Sequence, residues 1–236
     1  MTRTLRLPLA VAALIATAPV FATPAPYTLT LTGVGDGANN GSVYYSPYVG
    51  NIKNAAGTII YSGYLICDDY TDESYVNSAW GANETSAANL NGGELFAGET
   101  YTLGTHVYDT QQMYDAVSYL ANELLEPTNV TNSANQGNLS FAIWDIMDST
   151  APTSDGSSGS AAVVTSDIDA AFTQVSDGYV GSNVEVYTPD PLHASQEFLV
   201  VNGPSVPEPS SLTLLALGLA AMGWVAVRRR GQRADG

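Results

Sequence analysis

The chain has 236 residues, 45% of them hydrophobic, and carries 7 lysines and arginines against 23 aspartates and glutamates, so its formal net charge is −16. Only Glu208 and Asp235 of the acidic residues lie outside the stretch from Thr23 to Val206, and that stretch contains a single lysine, Lys53. This composition predicts a folded body, and it excludes binding of that body to nucleic acid or anionic lipid, because both depend on lysine and arginine.

The first 22 residues have the features of a secretory signal peptide. Arg3 and Arg6 give a basic start, and an apolar stretch follows from Leu7 to Phe21. Val20 and Ala22 are small enough for the −3 and −1 positions of a signal-peptidase site. The alternative, a buried core helix, would require an amphipathic face and caps. We therefore expect signal peptidase to remove this segment during export.

The next part of the chain has the pattern of antiparallel strands separated by polar turns. Pro47 confines one of the predicted strands to a sheet edge or a bulge, and Gly63 is a candidate bulge in the next. Period-two alternation and β-forming residues predict strands over residues 27–32, 42–49, 58–67 and 99–103.

An acidic run follows Cys67 and consists of Asp68, Asp69, Asp72 and Glu73. Oxygen ligands at this density are typical of weak extracellular calcium sites, although the run lacks the order and the central glycine of an EF-hand. A solvated acidic loop is the alternative. We predict no cofactor, and calcium is the one ion that the sequence leaves open.

Helical spacing of apolar residues begins after residue 108. Asp109 and Gln112 form a predicted capping box at the start of one helix, and Pro127 ends it. Ser133 and Gln136 predict the same device at the start of a second helix. The sequence therefore predicts two consecutive helices with a short connection.

The end of the body returns to strands. A third helix is predicted over residues 160–177, and two last strands over 183–187 and 196–201. Because the helices lie between strands, the sequence predicts an α+β body at residues 23–204. In that body, a helical subdomain at about 109–178 is inserted into an antiparallel sandwich or barrel-like sheet.

Conventional catalytic motifs are missing from the sequence of the body. His106 and His193 lie 87 positions apart and lack the spacing of a zinc site. The run from Gly156 to Ser160 is rich in serine but lacks the order of a nucleophile elbow. We expect a non-enzymatic protein. A carbohydrate-active enzyme remains the alternative, because its two carboxylates need only be near each other in space.

Cys67 is the only cysteine, so it cannot form an internal disulfide. It is predicted to be a buried residue at a strand end, with pairing to another chain or chemical use as alternatives. A strand that ends at Cys67, with the run Ala142-Ile143-Trp144 far downstream, resembles the thioester domains of Gram-positive surface adhesins. That resemblance implies an antiparallel β body with a helical insertion.

In the thioester family, a glutamine side chain acylates the cysteine sulfur. The resemblance places Cys67, Ser140 and Trp144 at the positions of the thioester site, with Ser140 where the family has glutamine. A hydroxyl cannot supply the acyl carbon, so we expect no thioester. Gln136 is a poor substitute, because its Cβ starts about 6 Å farther along the helix.

Aromatic residues are concentrated in the first half of the body. They suit stacking on sugars, but core and cross-strand packing accounts for aromatic residues in sheets equally directly, and we favour packing. The residues concerned are Trp80, Tyr44, Tyr45, Tyr48, Tyr61, Tyr64, Tyr70 and Tyr75.

Residues 205–236 combine an extended motif, an apolar segment and an arginine cluster. In Pro207-Glu208-Pro209, the two prolines prevent helix formation and leave an accessible peptide. Residues 212–227 are uncharged and, at about 1.5 Å per residue, reach about 24 Å of a roughly 30 Å hydrocarbon core. Arg228, Arg229 and Arg230 follow directly and would hold the tail in the cytoplasm. A short transmembrane segment is therefore predicted.

These three parts, in this order, resemble the PEP-CTERM sorting signal of Gram-negative bacteria. The resemblance implies export across the inner membrane, recognition by an exosortase, removal of the membrane segment and delivery to the cell surface or the extracellular matrix. It also implies a structural or adhesive role beside exopolysaccharide in a biofilm, with extracellular polysaccharide or another surface component as partner. An ordinary single-pass anchor is the alternative, and it predicts the same outward-facing body.

Overall fold

The structure is a computed structural model, and it describes residues 25–35, 39, 43–152 and 160–203. The predicted signal peptide, the predicted transmembrane segment and the sorting signal lie outside the described residues. Within the described ranges, none of the helices has the length and apolar character needed to span a bilayer.

The described residues form an α+β fold whose helices follow one another between two strands. The strands are β1 (Tyr27–Gly33), β2 (Tyr48–Asn54), β3 (Ile59–Cys67), β4 (Ala79–Ser86), β5 (Tyr101–Leu103), β6 (His106–Tyr108), β7 (Val184–Pro189) and β8 (Phe198–Val201). The helices between β6 and β7 are α1 (Thr110–Leu125), α2 (Ser133–Met147) and α3 (Ala161–Ser176).

Six strands close into an antiparallel barrel in the order β1-β2-β3-β8-β7-β4, and β5 pairs with β6 in a separate hairpin before α1. The predicted fold class, a barrel-like antiparallel sheet with inserted helices, is confirmed. The ladder that joins β3 to β8 is short, with Ile66 opposite Leu199 and Cys67 opposite Phe198.

The predicted strand over residues 42–49 is wrong in its position. The ladder of β2 begins at Tyr48, directly after Pro47, and continues to Asn54, while Tyr44 makes an isolated bridge with Asn39. Proline has no N–H for a ladder hydrogen bond, so regular pairing starts after Pro47.

Gly63 is not the bulge that the sequence suggested. It pairs with Gly50 on β2, and the irregularity falls at Ile60 instead, because Ile52 pairs with Tyr61 while Lys53 pairs with Ile59. At Gly50 the barrel interior is tightly filled, since a Cβ there would lie 2.4 Å from Leu65 Cδ1. The two glycines therefore allow close packing rather than a kink.

Strand β4 was missed by the sequence interpretation. Its residues, Ala-Trp-Gly-Ala-Asn-Glu-Thr-Ser, contain few β-branched side chains and little alternation. It forms because β1 and β7 pair with it on its two sides, so the tertiary ladder overrides its weak local preference.

The alternating side chains of β3 separate two cores. Leu65 and Cys67 point into the barrel, where they pack with residues such as Ile52 and Phe198. Ile66, between them, faces the helices and belongs to the second core. The end of β3 therefore lies where the barrel and the helices meet.

The helix starts agree with the sequence in one case and differ in another. Asp109 accepts a hydrogen bond from the backbone N–H of Gln112, and the Gln112 side chain accepts one from the backbone N–H of Asp109, which is the predicted capping box. For α2 the cap is Asn132, not Ser133, and its Oδ1 accepts from the N–H groups of Ala134 and Asn135. The two signals lie one residue apart, and Asn132 is as good a capping residue as serine.

Candidate functional site

Cys67 lies at the end of β3 with no exposed surface. Its thiol, its backbone N–H and its carbonyl each form a hydrogen bond. Its Sγ donates to the carbonyl of Asp69 at 3.0 Å, and its backbone N–H donates to Ser46 Oγ at 3.0 Å. The indole Nε1 of Trp144 donates to the carbonyl of Cys67 at 3.0 Å. These bonds join the barrel to α2 at Cys67.

Burial raises the pKa of the Cys67 thiol well above its usual value, and the neighbouring carboxyl groups of Asp69 and Asp68 add to the effect. The thiolate is the nucleophilic form of cysteine, so a thiol that keeps its proton in a closed core is a poor nucleophile. We therefore expect Cys67 to be a poor nucleophile in the folded protein.

Ser140 lies in the same network as Cys67 and Trp144. Its Oγ accepts a hydrogen bond from the backbone N–H of Ser46 at 3.0 Å, and Ser46 in turn bonds to Cys67. The structure thus brings the three residues of the predicted thioester-like site together, through Ser46, which the sequence interpretation did not include. The amide of Gln136 donates to the carbonyl of Val130 at 2.6 Å and is engaged there.

The acidic run after Cys67 divides into a buried half and a surface half. Asp68 and Asp69 are buried, whereas Asp72 is half-buried and Glu73 is exposed. The solvated-loop alternative is therefore wrong for the first two residues. Among the described residues, no group of three or more histidine, cysteine, aspartate or glutamate side chains is arranged to hold a metal ion, so the geometry gives the calcium prediction no support.

Asp68 forms a buried carboxyl pair with Glu197, which precedes β8. Glu197 accepts hydrogen bonds from the hydroxyls of Tyr114 and Thr188, and from the backbone N–H of Leu95 at 3.0 Å. Neither Asp68 oxygen accepts a hydrogen bond from the described residues. A charged carboxylate without a donor is costly in the interior, so burial favours the protonated form of Asp68.

Burial shifts the pKa of each carboxyl group of the pair upward. Burial raises the pKa of Asp68 well above its usual range, and the charges of Glu197 and Asp69 raise it further. Burial also raises the pKa of Glu197, while its three donors and Asp68 oppose that shift. In the sequence, Glu197 stands out as an acidic residue within the strand predicted over residues 196–201. Its partner Asp68 lies 129 positions earlier, so the pair could not be predicted from the sequence.

An aromatic groove with a volume of 570 Å³ lies beside the loop that follows β3. We define it by Tyr44, Tyr48, Tyr70, Tyr75 and Trp144, together with Asp72, Glu73 and Gln196. Tyr75 is 66% exposed and Tyr44 is 48% exposed. Half of the aromatic residues singled out from the sequence thus meet at one surface site.

The other half of those aromatic residues lie elsewhere. Tyr45 packs against Phe141 with ring centroids 5.8 Å apart, and Trp80 packs against Phe198 at the same separation. Tyr61 and Tyr64 lie on β3, outside the lining of the groove. Packing therefore accounts for Tyr45 and Trp80, as we favoured.

An acidic pocket of 340 Å³ adjoins the aromatic groove. We define it by Asp69, Asp72, Glu99, Asp148 and His193. His193 Nδ1 lies 2.9 Å from Asp72 Oδ2. Burial raises the pKa of Asp69 to about 6, against the opposing hydrogen bonds from the backbone N–H groups of Asp72 and Thr71.

Hydrogen bonds from Gln196 and to Asp148 hold the loop between these two cavities, residues 69–74. The amide of Gln196 donates to the carbonyl of Asp69 at 2.8 Å, and the backbone N–H of Gln196 donates to Ser74 Oγ at 3.1 Å. The hydroxyl of Thr71 also donates to Asp148. Bonds at several points along the loop fix the walls of both cavities.

The chain beyond the described body carries a sorting motif. Residues 205–230 match the PEP-CTERM protein-sorting motif. This sorting motif includes the Pro207-Glu208-Pro209 peptide and the three arginines from Arg228 to Arg230, so the resemblance seen in the sequence is confirmed. No curated protein has a significantly similar sequence.

Solved structures similar to this fold come from Gram-positive surface proteins. A cysteine-to-alanine mutant of the N-terminal thioester domain of a surface protein from Clostridium perfringens matches with a TM-score of 0.44 and 12% identity, over 74% of this chain and 97% of that chain. The N-terminal thioester domain of fibronectin-binding protein SfbI from Streptococcus pyogenes matches at 0.42 and 10%, over 80% and 100%. The N-terminal domain of the Streptococcus pyogenes pilus tip adhesin Cpa matches at 0.42 and 10%, over 75% and 93%.

Proposed function

We propose that this protein is exported, that an exosortase processes it at the PEP-CTERM sorting motif, and that its body then resides on the cell surface or in the extracellular matrix of a Gram-negative bacterium. The match at residues 205–230 carries this proposal. It is supported by the signal-peptide pattern of the first 22 residues and by the arginines that end the apolar segment.

Sorting is tested by following the body in its own host. We expect the full chain to reach the surface or the medium, and a chain truncated after residue 205 to accumulate elsewhere. Replacing Pro207, Glu208 and Pro209 together by alanine should have the same effect as truncation, while Ser211→Ala, which leaves the three motif residues intact, is the matched control. Delivery of the truncated chain to the same surface site would contradict the proposal.

For the body itself we propose a non-enzymatic role, structural or adhesive, in a matrix of exopolysaccharide. The support lies in the chemistry of the strongest nucleophile candidate, because Cys67 is buried and its pKa is raised. The hydroxyl of Ser140 is likewise engaged, since it accepts the N–H of Ser46. A covalent thioester adhesin is the alternative. Ser140 argues against it, because a hydroxyl cannot supply the acyl carbon of a thioester.

A second candidate function is carbohydrate binding, and the aromatic groove favours it. Tyrosine rings combine an apolar face with a polar edge, and exposed rings beside carboxylate and amide groups suit the apolar faces and hydroxyls of a sugar. Tyr75 and Tyr44 are the exposed rings, and Asp72, Glu73 and Gln196 supply polar groups. Release of reducing ends from an oligosaccharide by the wild-type chain would instead indicate a carbohydrate-active enzyme.

A further inference from the structure

We infer that the aromatic groove and the acidic pocket form one binding site for a positively charged amino-sugar chain, such as an oligomer of glucosamine. The inference rests on the carbohydrate-binding function proposed above and names its sugar class. The two cavities are adjacent, because Thr71 and Asp72 line both of them. Their volumes of 570 and 340 Å³ give room for more than one sugar ring.

The aromatic walls supply the surface on which sugar rings would stack. Tyr75 and Tyr44 stand out from the groove, whereas Trp144 is almost fully buried at its base. Tyr70 packs on Trp144 with ring centroids 5.4 Å apart, and the Tyr48 hydroxyl donates to the carbonyl of Tyr44 at 2.7 Å. These contacts hold the groove in shape before a ligand arrives, which lowers the entropy cost of binding.

The charge of the lining selects the ligand. Asp72 and Glu73 line the groove, and the acidic pocket adds three further carboxyl groups, those of Asp69, Glu99 and Asp148. The basic side chain in the lining is His193, which is already paired with Asp72. Uronate, sulfate or phosphate groups would meet like charge in this site, whereas an ammonium group would be attracted.

A separate observation points to a missing donor in the acidic pocket. Asp69 is 1% exposed, and its Oδ1 accepts the backbone N–H groups of Thr71 and Asp72. Its Oδ2 is buried and has no hydrogen-bond partner among the described residues. A buried carboxylate oxygen without a donor is costly, and an ammonium group of the ligand would satisfy it.

A lysine-rich peptide offers the same charge, but the architecture favours a sugar. Extended peptides commonly bind by adding a strand to an exposed sheet edge. The groove and the pocket are lined chiefly by loop residues, such as those from Tyr70 to Tyr75, and not by an unpaired strand edge. The site instead presents exposed tyrosine rings, which match the flat faces of pyranose rings.

Calorimetric titration of the full-length chain in a neutral detergent tests the inference. We expect a fully deacetylated glucosamine hexamer to bind in mildly acidic solution, where its amino groups are protonated, and its affinity to fall as salt screens the charges. The N-acetylated hexamer, which has the same rings without the ammonium groups, should bind at least about tenfold more weakly. An oligouronate of equal length should not bind.

Two variants locate the site. Tyr75→Ala removes an exposed ring, and Asp72→Asn removes a charge common to both cavities, so each should weaken binding of the glucosamine hexamer by about tenfold. The matched controls are Tyr64→Ala, an exposed tyrosine outside the groove, and Glu126→Gln, an exposed carboxylate at the end of α1. Both controls should bind as the wild type does, and thermal unfolding verifies that every variant is folded.

Several results would overturn the inference. Equal affinity for the acetylated and deacetylated hexamers would show that charge does not select the ligand. Equal affinity for a lysine hexamer would show a site for any cation, and absence of binding by the wild type would exclude the ligand class. Failure of the inference is distinguishable from failure of the carbohydrate-binding proposal, because equal binding of the two hexamers would refute selection by charge and leave sugar binding intact, whereas no binding of either hexamer would refute both.

Discussion

At the scale of single residues, burial decides the chemistry of Cys67. The side chain is enclosed in the barrel core, its sulfur donates to Asp69, and the pKa of its thiol is raised chiefly by burial. Ser140, at the position where a thioester would need glutamine, accepts the N–H of Ser46. Two residues that resemble a reactive pair in the sequence thus serve to join the barrel and α2.

We predict that Cys67 is an unmodified and unreactive thiol in the folded protein. Intact-mass analysis should give the mass of the unmodified polypeptide, and a thiol reagent should label Cys67 only after denaturation, because the native side chain has no exposed surface. Treatment with methylamine should leave the mass unchanged. A mass lower by one ammonia that methylamine restores would demonstrate a thioester and refute this prediction.

At the scale of elements, local signals located the helices well and the strands less well. A helix is defined by its own caps and its own periodicity, so Asp109 marks the start of α1 in the sequence and in the structure, and the helix predicted over residues 160–177 is α3 (Ala161–Ser176). A strand depends on its neighbours. Strand β4 carries a weak local signal and exists because β1 and β7 pair with it.

The start of α2 gives a prediction that distinguishes Asn132 from Ser133 as the capping residue. Asn132→Ala removes the side chain that caps the N–H groups of Ala134 and Asn135, so the free energy of unfolding should fall by about 1 kcal/mol. Ser133→Ala is the matched control, because Ser133 is exposed and is the first residue of the helix rather than its cap. Urea unfolding of both variants measures the difference.

The opposite order of effects would restore the sequence interpretation of this helix start. If Ser133→Ala lowered the free energy of unfolding more than Asn132→Ala, the cap would be Ser133 with Gln136, as the sequence pattern suggested. Equal small effects would contradict a capping role for Asn132.

At the scale of the whole molecule, acidic residues are found both on the surface and in the interior. The chain carries a formal net charge of −16, and a carboxyl pair, Asp68 with Glu197, lies fully buried near the barrel. Burial raises the pKa of Asp68, Glu197 and Asp69, and it raises that of Asp167 on α3 to about 6. The folded protein therefore holds protons that the unfolded chain would release.

We predict that the protein is more stable near pH 5 than near pH 8. A carboxyl group whose pKa is higher in the folded state stabilises fully below its unfolded pKa, about 4, and this contribution is lost as the pH rises through the folded value, about 6 for Asp69. Asp68→Asn should flatten the dependence and raise the free energy of unfolding near pH 8 by about 1 kcal/mol or more.

Urea unfolding at a series of pH values measures this dependence. The matched control is Asp169→Asn, an exposed aspartate on α3, which should keep the wild-type slope. A wild-type stability that increased between about pH 5 and 8 would contradict the prediction, since it would mean that the unfolded chain binds more protons in that range.

The sequence by itself determined the sorting motif and the fold class. The charges, the apolar segments and the Pro207-Glu208-Pro209 peptide are local features, and the PEP-CTERM sorting motif at residues 205–230 was recognisable from them alone. The α+β class followed as well, because periodicity and the order of elements are also local properties of the chain.

Only the tertiary structure decided what the body presents to its surroundings. The aromatic groove joins Tyr44, Tyr75 and Trp144, and the carboxyl pair joins Asp68 to Glu197, although these residues are far apart in the chain. Their meeting depends on barrel closure and on the docking of α2 against β3, neither of which leaves a signal in any short stretch of sequence. Distance along the chain is the reason that the sorting motif could be predicted and the groove and the carboxyl pair could not.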